Sequence, residues 1–382
     1  MKSQTNHPSI QLSKKIGGKI EIKSKLKLTS KNLAVLYTPG VAEVSRAIAK
    51  DKNLAKIYTI KKNAIAVISD GSAVLGLGNI GPEAALPVME GKALLFKELG
   101  KVDAFPIVLD TQDTEEIIKI IKNLAPTFGG INLEDISAPR CFEIEERLKK
   151  ELPIPVFHDD QHGTAIVILA GLINALKVVG KKAERIKVVI SGVGAAGIAT
   201  AKLIMRYGVK NIIMVDSSGI IYKGRDNLNP AKIKLAEITN GKIQKGGVRE
   251  ALSGADVFIG VSAPNILTEE DIKGMNKNAI IFAMANPIPE IMPDRAKAGG
   301  AKIVATGRSD FPNQLNNVLV FPGIFRGALD HNVKNITEDH KISAALAISR
   351  LIKKPTSGNI IPKALDKRVM KAVAGVFKSH NM

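Results

Sequence analysis

Apolar residues recur along the second half of the chain in short runs separated by helical stretches. We predict strands at residues 186–191, 211–215, 256–260, 279–284 and 302–305, and a helix that ends near Tyr207. Strands that alternate with helices in this way are typical of a doubly wound parallel sheet. The pattern therefore predicts an α/β architecture for this half of the chain.

The first half of the chain has a less regular pattern. Strands are predicted at residues 19–28, 64–69, 104–109 and 156–157. Within the first of these runs, isoleucine and leucine alternate with charged residues. That period is typical of a half-buried strand whose lysines form a solvated face.

Proline, glycine and capping residues set the helix boundaries in this half. Pro82 opens one helix, and a second spans residues 114–124 with Thr111 or Asp113 as its N-cap. A long apolar helix is predicted to begin after Gly163. The first half therefore mixes strands and helices without the regular alternation that follows it.

The length of 382 residues is enough for two domains, each with its own core. We predict a mixed α/β N-terminal domain at residues 1–157 and a Rossmann-like domain with C-terminal helices at residues 158–382. The longest apolar stretch, residues 165–176, is too short to span a bilayer and contains Asn174. Cys141 is the only cysteine, and no signal sequence opens the chain. We expect a soluble cytoplasmic protein without disulfides.

The net charge of +19 suggests nucleic-acid binding, but the distribution of the charge argues against it. Residues 1–62 hold 14 Lys/Arg against 3 Asp/Glu, and residues 331–382 hold 10 against 3, which leaves the middle nearly neutral. Aromatic residues make up only 4% of the chain, and no basic stretch interleaves with stacking rings. We expect no nucleic-acid partner, while small anionic substrates remain compatible with the charge.

The pattern Gly-x-Gly-x-x-Gly occurs twice, at residues 76–81 and 192–197. In a dinucleotide site the strand ends at the first glycine and the helix begins inside the motif, so that free N–H groups meet the pyrophosphate. The first copy fails this test, because six residues separate its strand from Gly76 and Pro82 opens the helix only after the third glycine. It predicts a turn, at most one wall of a substrate pocket. The second copy passes and predicts as cofactor contacts Gly192, Gly194, Ala195, Ala196 and Gly197.

Asp216 ends the strand that follows the second glycine motif, at the offset expected of a ribose-binding carboxylate. Such a carboxylate slightly favours NAD, because it repels the 2′-phosphate of NADP. Ser217, Ser218, Lys223 and Arg225 follow closely and could receive that phosphate. The choice between NAD and NADP stays open.

Two pairs of adjacent acids precede the second glycine motif, Glu134-Asp135 and Asp159-Asp160. A single pair in a loop is usually solvated or caps a helix. Together the pairs offer enough carboxylate oxygens for a hard cation, Mg²⁺ or Mn²⁺. His158 and His162 flank the second pair with the spacing of a zinc-protease helix, but the prolines before them and Gly163 after them argue against that motif.

Lys92 lies within the apolar stripe of the helix that starts at Pro82. It either extends its amine to water or is desolvated beside a carboxylate and acts as a general base. The residues alone leave both possibilities open. Tyr37, which precedes Thr-Pro-Gly in a turn, is by itself compatible with simple packing.

Taken together, these segments resemble the NAD(P)-dependent malic enzymes, in their short bacterial and archaeal form. The match includes Tyr-Thr-Pro-Gly-Val-Ala from Tyr37 and His-Asp-Asp-Gln-His-Gly-Thr from His158. The other matching segments, in the order of the family, are residues 69–81, 89–92, 132–136, 192–197, 285–287, 312–318 and 325–327. The resemblance implies metal-dependent oxidative decarboxylation of (S)-malate to pyruvate and CO₂, with reduction of NAD or NADP.

The resemblance also implies roles for individual residues. The metal ligands would be Glu134, Asp135 and Asp160. Lys92 would be the general base, Asp159 the carboxylate that supports it, and Tyr37 the general acid that protonates carbon.

Three amides match substrate-binding positions near the nicotinamide, Asn286, Asn316 and Asn317, and Asn286 would also contact the cofactor. The family resemblance implies a homodimer in which the N-terminal segment completes the partner's site. One departure is that the loop at Ala73 lacks the substrate-binding arginine of the longer eukaryotic malic enzymes. The substrate carboxylates must then be bound by other groups.

Other functions stay open at this point. The same residues could serve another metal-assisted hydroxy-acid dehydrogenase or an oxaloacetate decarboxylase. The chain could also be a nucleotide-sensing protein without turnover, in which the acids only cap helices.

Overall fold

Two sheets of mainly parallel strands organise the chain in the computed structural model, which describes residues 7–74 and 76–380. The strands are β1 Ala64–Ser69, β2 Asp103–Val108, β3 Gly130–Leu133, β4 Val156–His158, β5 Lys187–Ser191, β6 Asn211–Asp216, β7 Gly219–Ile220, β8 Val257–Gly260, β9 Ile280–Ala283 and β10 Ile303–Thr306.

The α-helices of the described residues are α1 Pro8–Ile16, α2 Leu33–Leu36, α3 Val41–Lys50, α4 Ala55–Tyr58, α5 Pro82–Leu95, α6 Thr114–Leu124, α7 Arg140–Glu151, α8 Asp159–Val179, α9 Ala195–Tyr207, α10 Pro230–Ile238, α11 Val248–Leu252, α12 Glu269–Lys273, α13 Pro293–Ala298, α14 Phe321–Asp330, α15 Glu338–Arg350 and α16 Lys367–Ala374. Of the two proposed caps for α6, Asp113 is the one that accepts a backbone hydrogen bond, from the N–H of Glu116 at 2.8 Å.

The first sheet has the strand order β2-β1-β3-β4, and all its strands are parallel. β1 is buried on both faces, as its continuous apolar run predicts. Its Ile65 and Val67 pack on the side of α5 and α8, whereas Ile68 packs on the side of α6 and α7. Helices therefore cover both faces of this sheet.

The second sheet has the order β10-β9-β8-β5-β6-β7, and only β7 is antiparallel. The predicted doubly wound sheet is confirmed. Val188 and Ile190 of β5 pack towards α8 and α9, while Val189 faces the layer of α11 to α13. β6 lies on one side of β5 and β8 on the other, so the strand order reverses at β5. A ligand crevice forms at the carboxyl ends of parallel strands where the order reverses in this way.

Helix α8 lies in one continuous core that contains residues of both sheets, from Val67 of β1 to Val188 of β5. Its 21 residues are long and apolar enough to cross a membrane by length and composition alone, but 72% of its apolar window is buried inside the protein. That degree of burial is typical of a core helix. The predicted start of this helix after Gly163 is wrong, because α8 begins at Asp159.

The position of Gly163 explains this error. A Cβ at Gly163 would lie 1.9 Å from the Asp159 Oδ1 and 3.1 Å from the Asn317 Cβ. Glycine is therefore required for packing inside the helix, and it does not mark the helix start.

The predicted strand at residues 19–28 is also wrong. This segment has no strand geometry, and its Ile22 and Leu28 are exposed. A strand needs a neighbour to pair with, and no strand of the first sheet pairs with this segment. The alternation of apolar and charged residues is present in the segment, but a strand forms only where another strand pairs with it.

The C-terminal helices return to the first sheet. Phe321 and Phe325 of α14 pack on Phe96, with ring centroids 4.6 and 5.4 Å apart, and Phe325 also packs on Phe157 at 6.1 Å. This aromatic cluster joins the end of the chain to the elements that carry the acid pairs.

Candidate active site

The two acid pairs meet because β3 and β4 are parallel neighbours. Leu133 pairs with His158 in the strand register. The residues that follow, Glu134-Asp135 and Asp159-Asp160, therefore leave the same edge of the sheet side by side. Sequence spacing alone could not predict this adjacency, since 22 residues separate Leu133-Glu134-Asp135 from His158.

Lys92 enters the acid cluster from α5. Its Nζ donates to the Glu134 Oε1 and to the Asp159 Oδ2, both at 2.5 Å, and lies 4.4 Å from the centroid of the Phe321 ring. The side chain is only 7% exposed, so the alternative in which Lys92 extends to water is wrong. Burial lowers its pKa, but the charges of Asp159, Glu134 and Asp160 outweigh burial and raise the pKa above its ordinary value.

Glu134, Asp135 and Asp160 each offer a carboxylate oxygen, and these oxygens lie within 4.8 Å of one another. The Asp135 N–H donates to the Asp160 Oδ2 at 2.7 Å, and the Asn132 amide donates to the Glu134 Oε2 at 3.0 Å. Burial raises the pKa of Glu134, and burial together with Asp159 raises the pKa of Asp160 to about 6. Three convergent carboxylates, among which the charge of Asp160 raises the pKa of Glu134, fit a hard divalent cation, for which oxygen ligands are preferred. The predicted metal ligands are thus brought together.

Asp70 supports the loop of the first acid pair, and the sequence analysis did not identify it. This buried carboxylate accepts two hydrogen bonds from Arg140, at 2.8 and 3.1 Å, and one from the Ser72 N–H at 3.0 Å. The Ala73 N–H in turn donates to the Asp135 carbonyl at 2.9 Å. Asp135 has a φ of 53°, a left-handed conformation that a non-glycine residue adopts only when its surroundings hold it there.

The second glycine motif has the geometry predicted for it. β5 ends at Ser191, and α9 begins at Ala195, inside the motif. Gly192 has a φ of 108°, and a Cβ at Gly197 would lie 1.9 Å from the Gly192 carbonyl oxygen. Both positions therefore require glycine. Gly194 and Ala196 complete this turn, whose free N–H groups are available to a pyrophosphate.

The first glycine motif forms a turn, as its sequence context predicts. Gly76 and Gly78 have positive φ, and Val74 bridges to Gly78. A Cβ at Gly76 would lie 2.6 Å from the carbonyl oxygen of Asn286. The turn of the first sheet therefore touches the loop that follows β9 of the second sheet, beside a predicted substrate residue.

The predicted amides lie at two places. Asn317 is half-buried beside Gly163, next to Asp159, while the Asn316 Oδ1 accepts from the Val318 N–H at 2.9 Å and caps a short helical turn. Asn286 is exposed in the loop after β9. Asn317 is thus at the acid cluster, and Asn286 lies on the side of the cofactor motif.

Asp216 lies at the predicted strand end but is already paired. Its Oδ2 accepts from Arg225 and Lys232, each at 2.6 Å, and its Oδ1 accepts from the Ser218 N–H at 2.9 Å. Burial raises its pKa, but the hydrogen bonds from these two cations outweigh burial and lower the pKa to about 2. Two cations therefore lie beside this carboxylate, and one of them is Arg225, which the sequence had offered as a partner for a 2′-phosphate. The choice between NAD and NADP stays open.

Glu290 is a second buried acid that the sequence analysis missed. It is fully buried, and its two oxygens accept from the Ser262 N–H at 2.9 Å and from the Ala285 N–H at 3.0 Å. The Ser262 hydroxyl lies 3.0 Å from that of Ser191, which precedes the glycine motif. Glu290 therefore connects the carboxyl ends of β5, β8 and β9.

Tyr37 is not joined to the acid cluster. Its side chain is 67% exposed at the end of α2, and within the described part of a single chain its hydroxyl makes no hydrogen bond. None of the residues of α1 to α4 is buried. The predicted general acid thus belongs to a segment with little packing of its own.

Taken together, a doubly wound sheet with a glycine-rich strand-to-helix turn, beside acids that surround a buried lysine, defines a dinucleotide-dependent oxidoreductase. The family model for the malic enzyme N-terminal domain matches residues 17–149, and the model for the malic enzyme NAD-binding domain matches residues 161–377. The chain belongs to the malic enzyme family.

Individual relatives agree with this assignment. The chain is 59% identical to an NAD-dependent malic enzyme of Geobacillus stearothermophilus, over 94% of this chain and 75% of the relative. It is 57% identical to a bifunctional malic/malolactic enzyme of Bacillus subtilis, over 96% and 90% of the two chains. The crystal structure of an NAD-dependent malic enzyme from Thermotoga maritima superposes with a TM-score of 0.95 at 50% identity, over 98% and 100% of the chains.

Proposed function

We propose that this chain catalyses the oxidative decarboxylation of (S)-malate to pyruvate and CO₂ with reduction of a nicotinamide cofactor. The observation that carries the proposal is Lys92, buried between Glu134 and Asp159 at the same sheet edge as Asp135 and Asp160. The activity named for the relatives agrees with this arrangement.

Glu134, Asp135 and Asp160 are the residues that would hold Mg²⁺ or Mn²⁺. A bound divalent cation stabilises the negative charge that develops on the substrate oxygen during both proton removal and CO₂ loss. A bound nicotinamide cofactor accepts the hydride from C2 of malate. The negative charge of the three carboxylates, when all three are ionised, also favours binding of a divalent cation.

Lys92 takes the proton of the malate hydroxyl in this proposal. The residue must enter the reaction as a free amine, whereas in the chain alone the neighbouring acids favour the ammonium form. Its role as base therefore requires that the charge of Glu134 and Asp160 be offset by a cation. The Asp159 Oδ2 lies 2.5 Å from the Lys92 Nζ and is placed to accept that proton from Lys92.

The remaining steps need an acid at carbon. Loss of CO₂ from the β-keto acid leaves an electron pair on C3, and Tyr37 donates its hydroxyl proton there to give pyruvate. Asn286, Asn316 and Asn317 would orient the substrate by their amides. Because no described residue of the first four helices is buried, we assign Tyr37 to the site of a second copy in a homodimer.

NAD is the cofactor that we favour slightly over NADP. Asp216 retains a carboxylate at the ribose position, and its Oδ1 accepts only one hydrogen bond. The cations Arg225 and Lys232 lie beside it and keep binding of a 2′-phosphate open. The cytoplasm is the location that we expect, and we expect no nucleic-acid partner.

The test is a spectrophotometric assay of malate with NAD and with NADP, with and without Mn²⁺ and after EDTA. We expect cofactor reduction that depends on Mn²⁺ and releases one CO₂ per reduced cofactor. Lys92→Ala should abolish turnover, while Lys97→Ala, an exposed lysine five residues further on, should retain it. No absorbance change with either cofactor would overturn the proposal.

Complementation tests the assignment of Tyr37. Lys92→Ala and Tyr37→Phe chains are each expected to be inactive as homodimers. If Tyr37 acts in the partner's site, mixed dimers regain one intact site, or about a quarter of all sites after random reassortment. Mixtures that stay inactive, although subunit exchange is demonstrated, would place Tyr37 in its own chain's site or outside the reaction.

A further inference from the structure

Glu145 contacts the chain on both sides of the Asp159-Asp160 pair. This residue of α7 is buried, and its Oε1 accepts from the backbone N–H of His158 at 3.1 Å. Its Oε2 lies 2.8 Å from the Nε2 of His162. One carboxylate therefore holds the end of β4 and the first turn of α8.

The second nitrogen of His162 is also fixed. Its Nδ1 lies 2.9 Å from the Nζ of Lys341, a residue of α15 that is 2% exposed and paired with Glu338 at 2.6 Å. An ammonium group only donates hydrogen bonds, so Nδ1 must accept. The proton of the neutral imidazole then lies on Nε2 and is donated to Glu145. The geometry thus permits a single tautomer.

We propose that Glu145, His162 and Lys341 are positioning residues that hold the first turn of α8, and with it Asp159 and Asp160, against the loop of Glu134 and Asp135. The inference rests on the proposed metal site. It joins three separate segments, α7, α8 and α15, at the residues that flank the acids.

The cost of burial supports a positioning role. A carboxylate and an ammonium both lose hydration in this interior, and apolar residues would pack there at lower cost. The polar network instead fixes the orientation of the first turn of α8, because each of its hydrogen bonds has a defined donor and acceptor. That orientation places the Asp160 Oδ2 where it accepts from the Asp135 N–H at 2.7 Å, the hydrogen bond that joins the two acid pairs. Partners of this kind typically change metal affinity when they are mutated.

The experiment measures Mn²⁺ binding to the whole protein by the electron paramagnetic resonance signal of free Mn²⁺. In Glu145→Gln the side-chain NH₂ group would face the N–H of the His162 Nε2, so two donors would meet and this hydrogen bond would be lost. We expect the dissociation constant for Mn²⁺ to rise about 10- to 100-fold. The matched control is Glu146→Gln, the exposed neighbour on the same helix, which pairs with Lys150, and it should bind Mn²⁺ like the parent.

A second substitution tests the tautomer itself. Adding Lys341→Met to Glu145→Gln frees the imidazole to carry its proton on Nδ1, so that Nε2 accepts from the new amide. The double variant should therefore bind Mn²⁺ more tightly than Glu145→Gln alone. Additive losses, in which the double variant is the weaker binder, would overturn the proposed tautomer.

Substitutions of His162 give an independent comparison. In His162→Gln the side-chain amide can still donate to Glu145 from the place of Nε2, whereas His162→Asn can reach only towards Lys341. We expect His162→Gln to retain most Mn²⁺ affinity and His162→Asn to lose it. Equal affinities would contradict the inference, and this pair decides the matter if Glu145→Gln does not fold.

Cofactor binding, measured by calorimetry, separates a local effect from general damage. Among the described residues no hydrogen bond or ion pair joins Glu145 to the glycine turn at residues 192–197, so NAD(P) affinity should fall far less than Mn²⁺ affinity in Glu145→Gln. If the parent protein itself binds no Mn²⁺, the proposed metal site fails and the inference fails with it. If the parent binds Mn²⁺ and Glu145→Gln binds it equally well, only the positioning role is overturned.

Discussion

Replacing Gly163 by alanine has two opposite effects on stability, a gain in helix propensity and a loss from overpacking. In an open helix this change stabilises a protein by about 0.5–1 kcal/mol, because alanine has the higher helix propensity. At Gly163 the new Cβ would lie 1.9 Å from the Asp159 Oδ1, whereas ordinary contact begins at 3.4 Å, so the two atoms must move apart by about 1.5 Å. Asp159 is fully buried and has no solvent to turn into.

The displacement must come from Asp159 or from the helix. Overpacking of this kind costs about 1–3 kcal/mol, which exceeds the gain in propensity, so we expect a net loss of about 0.5–2 kcal/mol in the free energy of unfolding. Movement of Asp159 would also lengthen its 2.5 Å contact with Lys92. A misplacement of about 1 Å in a catalytic group can lower turnover about 100-fold.

The assays are urea unfolding and malate-dependent cofactor reduction. Gly91→Ala is the matched control, because Gly91 lies within α5 and a Cβ there meets no atom within 4 Å. The control should gain up to about 1 kcal/mol and keep full turnover. A Gly163→Ala protein that is equally stabilised and active would refute the close packing of α8 against Asp159.

Other perturbations address the cofactor side and the metal site. Glu290→Ala leaves the N–H groups of Ser262 and Ala285 without an acceptor, so the free energy of unfolding should fall by about 2–5 kcal/mol in urea titrations; a fall below about 1 kcal/mol would contradict this. Asp216→Asn should lower the free energy of unfolding at neutral pH. The difference from the parent should shrink as the pH falls from 3.8 towards about 2, because the ion-paired carboxylate, with its lowered pKa, stabilises the fold only while it is ionised. A difference that is independent of pH would argue against the ion pairs. Mn²⁺ should raise the melting temperature of the parent but not that of Asp135→Asn, which lacks the charge of one ligand. Asparagine is chosen because it tolerates the φ of 53° at this position. An equal rise in both proteins would exclude Asp135 as a ligand.

The second sheet could be predicted from sequence because its signals are local. Each strand is a short apolar run between helices. The glycine turn follows β5 directly in the sequence and leads directly into α9. The observed strands differ from the predicted ranges by one or two residues at their ends. The antiparallel β7, only two residues long, gave no such signal.

The N-terminal segment could not be predicted in the same way. Its alternating residues 19–28 have the period of a strand, but the strand ladder depends on a neighbour, and a single chain supplies none for this segment. The short helices before β1 were missed because they bury no apolar face, which is the feature that helical periodicity reports. Tyr37 lies in this segment, so its proposed role cannot be derived from the packing of one chain.

The proposed base and the proposed metal ligands had a local signal in the sequence, whereas the residues that orient them had none. Lys92 interrupts an apolar stripe, and the acid pairs adjoin strand ends, so each has a local anomaly. Asp70, Glu145 and Glu290 have none, because each is a buried acid with at least one partner on a different strand end or helix.

Each of these three buried acids accepts a backbone N–H at the carboxyl edge of a sheet: from Ser72 after β1, from His158 at the end of β4, and from Ser262 and Ala285 after β8 and β9. Loops at this edge carry the chemistry of parallel sheets, yet their backbone groups lie beyond the strand ladders that would satisfy them. A buried carboxylate supplies the missing acceptors and fixes the loop at once. Substitution at these positions should therefore impair turnover or ligand binding although none of the three acids belongs to the proposed metal, substrate or cofactor contacts.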